Sequence, residues 1–209
     1  MTSVLTGDII NSTSVINQDL WLIPLKKCLK FVCKDDSKYE IFRGDSFQIE
    51  IKDITKSLRT AIYIKACIKS IKDFDVRIAI GIGSKTFEGT NISESNGSAF
   101  QNSGGLLEFM KRNKINLRIK ADSNKPEGPY EFNKSFNIHL RFASLIMDSW
   151  TVNSAEAVKL LMETDYGNQN LIAKEIGISQ DAVSKRLKRA NIYELLELNE
   201  LYEDQVKKL

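Results

Sequence analysis

Cysteine and histidine are scarce in this chain, and their scarcity excludes several kinds of site. The three cysteines, Cys28, Cys33 and Cys67, are odd in number and form no CxxC pair. A disulfide framework and a cysteine-ligated metal site are therefore excluded, and a reducing cytoplasmic location is expected. His139 is the only histidine, so no two-histidine metal site can form. We expect His139 to pack on a helix face between two domains.

Strong net charge and long apolar runs are also missing. The net charge is +3, which is too small to indicate nucleic-acid or membrane binding by itself. No uninterrupted apolar run reaches the length of a membrane-spanning helix. The first ten residues, MTSVLTGDII, lack the basic and long apolar regions of a signal peptide. We therefore expect no signal peptide and no membrane partner.

What remains is the composition of a globular protein with an uneven charge distribution. The 209 residues are 42% hydrophobic and 27% charged, enough for one large domain or a medium domain with a small one. Residues 1–150 carry 22 lysines and arginines against 17 acidic residues, whereas residues 151–209 carry 8 against 10. Any nucleic-acid contact in the acidic C-terminal part therefore requires a local concentration of positive charge.

Apolar periodicity predicts a mixed α+β domain followed by helices. Strands are predicted at Ser3–Ile10, Lys38–Arg43, Ser46–Ile51, Asp75–Gly83 and Asn116–Ala121, and helices at Gln18–Val32, Asp53–Lys72, Ser98–Arg112 and Lys134–Trp150. We expect the lysines of the second helix to form a solvated face. The order of elements is that of a split βαβ, ferredoxin-like βαββαβ arrangement with additions. Asp122–Gly128 is a polar break, and we place the boundary between domains 1–150 and 151–209.

Residues 168–190 have the pattern of a helix-turn-helix in an all-α second domain. Leu171, Ile172 and Ile176 give its first helix an apolar face, with Asn153–Glu163 as a preceding support helix. Gly177 suits the turn between the helices, and Ser179 is a natural N-cap for the second helix. The run resembles the helix-turn-helix of many bacterial regulators, of the form IAxxxGISxxxVSxxLxRA. An amphipathic helical hairpin with a solvated basic face is the simpler alternative.

A recognition helix beginning near Ser179 would present a polar and basic face to double-stranded DNA. Val183 and Leu187 are four residues apart and should face the core. The outward residues predicted to contact DNA are Ser179, Gln180, Asp181, Ser184, Lys185, Lys188 and Arg189. Residues 168–191 contain five basic and two acidic side chains, so the charge is concentrated where phosphates would be contacted.

The final predicted helix, residues 191–209, is amphipathic and has two equally good interpretations. One helix-turn-helix reads one half-site, so DNA-binding regulators usually dimerise. The last helix could pair with a second copy in a homodimer, or it could pack back on its own domain.

Two acidic residues in the N-terminal half occur at strand ends. Asp8 follows Gly7 in the first strand, and Asp45 follows Gly44 in a hairpin. Carboxylates at such positions can converge on Mg²⁺, which takes hard oxygen ligands. Residues 11–13, Asn-Ser-Thr, form a polar turn whose backbone N–H groups could hold a triphosphate. From spacing alone, however, Gly-Asp pairs are ordinary turn chemistry.

Four segments together resemble a known group of domains. GDIINST at 7–13, RGDSFQ at 43–48, RIAIGIG at 77–83 and SNGSAFQNSGGLLE at 95–108 are similar to segments of class III nucleotidyl cyclases. The match is closer to the SatD family of small bacterial proteins, which share the GDI, GDxFQ, IGIG and GxAF segments. The resemblance covers roughly residues 3–112 together with the C-terminal helix-turn-helix.

The resemblance implies a metal and nucleotide site that lacks part of the catalytic apparatus. Asp8, Asp45 and the Ile9 carbonyl would be metal ligands, for Mg²⁺ with a nucleotide. Asn11, Ser12, Thr13 and Gly44 would contact that nucleotide. The adenine-selecting lysine of the cyclases is replaced by Ile41, their transition-state asparagine by Gln101 and their transition-state arginine by Gly105. Glycine supplies no cation, and losing such an arginine would cost several kcal/mol of barrier.

Three hypotheses follow. The first is a transcriptional regulator with a catalytically degenerate cyclase-like sensor domain that binds a nucleotide or another small ligand. The second is an active Mg²⁺-dependent nucleotidyl cyclase or nucleotidyltransferase that carries a DNA-binding module. The third is a regulator whose N-terminal domain serves only dimerisation. The replacements at Gln101 and Gly105 favour a non-enzymatic role.

Overall fold

A computed structural model describes residues 1–42, 44–123, 129–164 and 168–209. Its architecture is α+β. The strands are β1 (Thr2–Ile10), β2 (Tyr39–Phe42), β3 (Ser46–Ile51), β4 (Asp75–Gly83) and β5 (Leu117–Ala121). In the described ranges the helices are α1 (Asp19–Val32), α2 (Ser57–Lys69), α3 (Ser98–Asn113), α4 (Tyr130–Asp148), α5 (Val152–Glu163), α6 (Gln169–Ile176), α7 (Gln180–Arg189) and α8 (Ile192–Val206).

The order of strands and helices agrees with the periodicity, and most bounds differ by a few residues. The largest differences have local causes. The Asp53 side chain accepts a hydrogen bond from the Thr55 N–H at 3.1 Å, so a short 3₁₀ turn precedes α2. The connection between β4 and α3 contains a 3₁₀ turn at Ile92–Glu94. Residues 124–128 of the predicted polar break lie outside the described residues.

The five strands form one sheet in the order β2-β3-β1-β4-β5. The central strand β1 is antiparallel to both β3 and β4, whereas β5 runs parallel to β4 at the edge. In this register Asp8 of β1 lies opposite Ser46 of β3 on one side and Arg77 of β4 on the other. Residues distant in sequence therefore meet around Asp8.

Helices cover both faces of the sheet. Leu5 and Ile9 of β1 belong to a core cluster shared with α1 and α2, whereas Val4 packs with Ala99 of α3. The α3 backbone lies very close to β4 at Gly81. A Cβ atom at Gly81 would lie 2.3 Å from the Ala99 carbonyl oxygen, so this approach requires glycine.

Helix α2 lies in the middle of the protein, which corrects the expectation of a solvated lysine face. Lys65 is only 3% exposed, and its ammonium group donates hydrogen bonds to Asp75 of β4 and Asp148 of α4. Asp148 also accepts from the Asn116 amide at 3.0 Å and the Ser144 hydroxyl at 3.2 Å. The lysine is buried because β4 and α4, which carry its two carboxylate partners, pack against the side of α2 that the isolated helix pattern assigns to solvent.

Of the two interpretations of the last helix, the structure favours packing within the chain. Tyr202 of α8 is fully buried and its hydroxyl donates to the Ile54 carbonyl oxygen at 2.8 Å. Its ring lies 5.3 Å from that of Phe136 in α4. One continuous core cluster contains residues of α1, α2, the sheet and α4 to α8. The division of the chain at residue 150 stays a prediction.

Two sequence-based expectations about single side chains were wrong. Leu171 of α6 is 53% exposed and does not join the apolar face, because Ile172 and Ala173 make that contact. His139 of α4 lies on the exposed side of its helix and contacts only the edge of the core, with its ring centroid 5.7 Å from that of Phe136. In the described ranges, no helix combines the length and the apolar character needed to cross a bilayer.

Candidate functional site

Asp8 and Asp45 are close in space, as the resemblance implied, but Asp8 does not follow the strand. Strand β1 continues to Ile10, so Asp8 lies within it and between two partner strands. The backbone N–H of Ile9 donates to the Asp45 carbonyl oxygen at 3.0 Å, which fixes the turn against β1. Gly44 has a φ of +87°, a conformation that favours glycine in this turn.

Arg77 is the functional neighbour that sequence reasoning missed. Its Nη1 donates to both carboxylate oxygens of Asp8, at 3.0 and 2.9 Å. Its Nε donates to the Ile115 carbonyl oxygen at 3.1 Å, so the guanidinium is held from two sides. The signal was present in the first letter of RIAIGIG, but only the antiparallel register of β1 and β4 places Arg77 opposite Asp8.

Burial dominates the electrostatics of Asp8. It raises the pKa of the Asp8 carboxyl above its usual value, although the positive charges of Arg77 and Lys111 oppose the shift. The nearby Asp45 carboxylate adds to the increase in the Asp8 pKa. The site is therefore a desolvated ion pair with a second carboxylate beside it.

The predicted phosphate-binding turn is largely occupied by contacts within the protein. The Ser12 hydroxyl donates to Asp45 Oδ2 at 2.5 Å, and the Asn11 side-chain amide donates to the Asp73 carbonyl oxygen at 2.9 Å. Residues 12–14 form a single 3₁₀ turn, and the Ser14 N–H donates to the Asn11 carbonyl oxygen. Of the three predicted residues here, Ser12 is buried, whereas Asn11 and Thr13 are exposed.

The donor set does not fit a divalent cation well. Among described residues, no group of three or more histidine, cysteine or acidic side chains could hold a metal. Both Asp8 oxygens accept from Arg77 and one Asp45 oxygen accepts from Ser12, so a cation would have to displace these partners. Arg77 already supplies the positive charge that a metal would bring to Asp8. We derive no chemical step through Mg²⁺.

The helix expected to carry transition-state residues offers little catalytic chemistry. Gln101 and Gly105 lie on the exposed side of α3. A Cβ atom at Gly105 would meet nothing within 4 Å, so the missing side chain leaves open space. Lys111, one turn and a half further along, lowers the Asp8 pKa but also lies 3.7 Å from Glu108.

Helices α6 and α7 are joined by a short turn whose geometry depends on two predicted residues. Gly177 has a φ of +76°, and its N–H donates to the Ala173 carbonyl oxygen at 2.9 Å. The Ser179 hydroxyl accepts from the Ala182 N–H at 3.2 Å and caps α7. The Asn168 side chain caps α6 in the same way, accepting from Leu171 at 3.3 Å.

One face of α7 packs inward and the other is polar. Val183 and Leu187 are fully buried. The exposed residues of α7 and its N-cap include Ser179, Gln180, Asp181, Lys185, Lys188 and Arg189, and Ser184 is half-buried.

Ion pairs reduce the free positive charge on α7. Lys185 lies 2.8 Å from Asp181, and Arg186 points inward to Glu156 at 3.0 Å. Lys188 and Arg189 have no carboxylate within ion-pair distance in the described part of the chain. These two residues are therefore the free cations of the α7 surface.

Comparison with known families identifies the family of the chain. The SatD family profile matches residues 3–200. The chain belongs to the SatD family. A search of curated proteins returned no match. Among solved structures, the active GGEEF domain of a diguanylate cyclase from Vibrio cholerae is similar at 15% identity and a TM-score of 0.40, covering 59% of this SatD-family chain and 84% of that domain.

Proposed function

We propose that this SatD-family protein is a DNA-binding transcriptional regulator whose N-terminal part senses a small ligand without catalysing a reaction. The observation that carries the proposal is the α6–α7 unit, which has a left-handed glycine turn and a capped second helix, α7, whose outward polar face carries two free cations. Such a helix can enter a major groove while its apolar side stays on the protein.

In this proposal the two parts have distinct architectures. Strands β1 to β4 with α1 and α2 form the split βαβ, ferredoxin-like unit, to which α3 and β5 are added. Helices α5, α6 and α7 form the helix-turn-helix domain. The link between them is direct, because the Trp150 indole N–H donates to the Ala190 carbonyl oxygen at the end of α7 at 2.8 Å.

The non-catalytic part of the proposal is supported by the surroundings of Asp8. Arg77 neutralises Asp8, and α3 presents no cation at Gly105 to stabilise a charged transition state. Incubation with each nucleoside triphosphate and Mg²⁺ or Mn²⁺ should therefore give no cyclic or oligomeric product. Turnover abolished by Asp8→Ala would contradict this and favour the cyclase hypothesis.

The DNA-binding surface can be tested through the salt dependence of binding. The variant Lys188→Ala/Arg189→Ala removes the two free cations of α7. Each lost phosphate contact lowers the slope of log affinity against log salt concentration by about 0.9, so we expect a loss of about 1.8 with a random-sequence duplex. The matched control is Lys26→Ala/Lys27→Ala, which removes the same charge from exposed residues of α1 that also have no carboxylate within ion-pair distance among the described residues.

The control should keep the wild-type affinity and slope. Equal slopes for all three proteins, or equal losses in both variants, would show that α7 does not contact DNA. We also propose that the functional unit is a homodimer, since one α7 reads one half-site. Light scattering at micromolar concentration, with and without a duplex that contains two half-sites, measures that state.

A further inference from the structure

A second site lies two strands away from Asp8 in the sheet, at the edge formed by β5. Helices α3 and α4 flank this edge and enclose a cavity of about 550 Å³. We call it the α3–α4 groove; its lining includes Gly105, Phe109, Arg118, Lys120, Tyr130 and Lys134. A neighbouring cavity of about 800 Å³ continues along α4 past Lys114 and Arg141. Cavities of this size suit small organic ligands.

The outer edge of β5 is closed by two asparagine side chains. Asn137 accepts from the Ile119 N–H at 3.0 Å and donates to the Ile119 carbonyl oxygen at 2.8 Å. Asn133 makes the same two contacts with Ala121, both at 2.8 Å. Two amides one helical turn apart thus replace a neighbouring strand. A peptide cannot extend the sheet here, because the backbone groups it would need are already bonded.

The groove carries positive side chains that make no ion pair with any described residue. Arg118, Lys120 and Lys134 line the first cavity, and Lys114 and Arg141 line its continuation. None of the five has a carboxylate within 4.0 Å in the described ranges, whereas Arg77 and Lys65 elsewhere are paired. Among the described residues, no acidic side chain lines the first cavity, and Asp148, which lines the second, is bonded to Lys65. Unpaired cations in a concave site raise the local concentration of anions.

Two aromatic rings accompany these cations. The Arg118 guanidinium lies 5.0 Å from the centre of the Phe109 ring, and the Lys134 ammonium lies 5.7 Å from the centre of the Tyr130 ring. Both rings are substantially exposed, at 40% for Phe109 and 66% for Tyr130. Exposed rings beside cations suit a ligand that joins a planar aromatic group to phosphates, because bases stack on rings and phosphates pair with arginine and lysine.

We propose that the α3–α4 groove binds a nucleotide, with its base on the aromatic rings and its phosphates on Arg118 and Lys134. This names both the place and the class of the ligand that the N-terminal part senses, and its regulatory meaning rests on the proposed function. Helix α4 forms one wall of the groove and ends next to Trp150, whose indole is bonded to the end of α7. Ligand binding therefore acts on an element connected to the DNA-binding face.

Adjacent glycines allow a test that leaves the fold intact. Gly105 lines the groove and Gly104 does not, and a Cβ atom at either position would meet nothing within 4 Å. Gly105→Glu places a carboxylate in the cationic cavity, and Gly104→Glu puts the same charge on the same helix outside it. Both replacements favour the helix, since glycine is about 1 kcal/mol worse than good helix formers.

Titration calorimetry of the full chain without DNA measures binding directly. The probes are the four common nucleoside triphosphates, inorganic triphosphate, adenosine and a single-stranded hexanucleotide. We expect at least one nucleoside triphosphate to bind more tightly than either inorganic triphosphate or adenosine. Gly105→Glu should weaken it at least tenfold and Gly104→Glu by less than twofold. Arg118→Gln should also weaken binding. Its control is Arg112→Gln, which removes an arginine in the last turn of α3 that does not line the groove.

Several outcomes would overturn the proposal. The first is that no nucleotide binds. The second is that Gly105→Glu and Gly104→Glu lose the same amount of nucleotide affinity. The third is that the hexanucleotide binds more tightly than every mononucleotide. Binding abolished by Asp8→Asn/Asp45→Asn but unaffected by Gly105→Glu would place the ligand at the Asp8 site instead. Because these titrations contain no duplex DNA, a failure of the DNA-binding proposal leaves their result unchanged, and the salt-slope measurement is independent of them.

Discussion

The buried ammonium group of Lys65 provides the most quantitative test of the fold. It joins three elements, because its partners Asp75 and Asp148 lie in β4 and α4 while Lys65 itself lies in α2. Lys65→Met keeps the aliphatic stem and removes the charge, which leaves two carboxylates without their shared cation. Removing one partner of a fully buried ion pair costs about 3–5 kcal/mol.

The expected loss here is smaller, because the carboxylates are partly solvated. The side chain of Lys65 is 4% exposed, but those of Asp75 and Asp148 are 18% and 33% exposed. We therefore expect Lys65→Met to lower the free energy of unfolding by about 2–3 kcal/mol. For a chain of this length that corresponds to a decrease of about 4–12 °C in melting temperature.

Urea unfolding followed by circular dichroism and by tryptophan fluorescence provides the assay, since coincident curves test whether unfolding has two states. Lys69→Met is the comparison variant: Lys69 is one turn away, its ammonium donates to the Asp148 carbonyl oxygen at 3.0 Å, and it lies 3.5 Å from Asp75 with its side chain 16% exposed. We expect it to cost less than Lys65→Met, about 1 kcal/mol, because its contact with Asp75 is longer and its side chain is more exposed. Adding Asp75→Asn and Asp148→Asn to Lys65→Met should recover much of the loss. Equal effects of the two lysine variants, or an unchanged midpoint for Lys65→Met, would refute the reasoning.

Two further predictions concern the Asp8 site and the contact between the two parts. Burial raises the pKa of Asp8, so its ionised form is disfavoured in the folded state. Asp8→Asn should therefore be at least as stable as wild type at pH 7. The difference in unfolding free energy between the two proteins should shrink as the pH falls towards the ordinary carboxyl pKa of 3.8. Urea midpoints at pH 7 and pH 4 measure this, and a large loss at pH 7 would mean that the Arg77 pair outweighs burial. Trp150→Phe leaves the Ala190 carbonyl without its donor and should cost about 1–3 kcal/mol in thermal unfolding. It should also weaken DNA binding. An unchanged affinity would show that the Trp150–Ala190 hydrogen bond does not position α7 for DNA.

Local chemistry explains why much of the helix and strand order could be predicted from the sequence. The turn between α6 and α7 depends on a glycine at 177 and a hydroxyl at 179, and both act within a few residues of their own position. Apolar spacing also identified Val183 and Leu187 as core residues, because a helix has a fixed period. The same period failed for Leu171, since the width of the apolar face depends on what packs against it.

The residues around the two sites could not be found in this way. Arg77 is 69 residues from Asp8 in sequence, and Asn137 is 18 from Ile119. Nothing local distinguishes either residue from a solvated polar side chain. Their roles arise from the antiparallel register of β1 with β4 and from the placement of α4 along β5.

The sequence by itself determined the elements, their caps and turns, and the resemblance to the SatD family, which the profile match at residues 3–200 confirmed. These features follow from short-range periodicity and hydrogen bonding, which each segment carries within itself. Only the tertiary structure decided that Lys65 is buried, that α8 packs on its own chain, and that Asp8 is paired with a guanidinium. It also decided that cations scattered in the sequence line the α3–α4 groove and the cavity next to it. Such outcomes depend on which surfaces meet, and that is fixed by the packing of the whole chain.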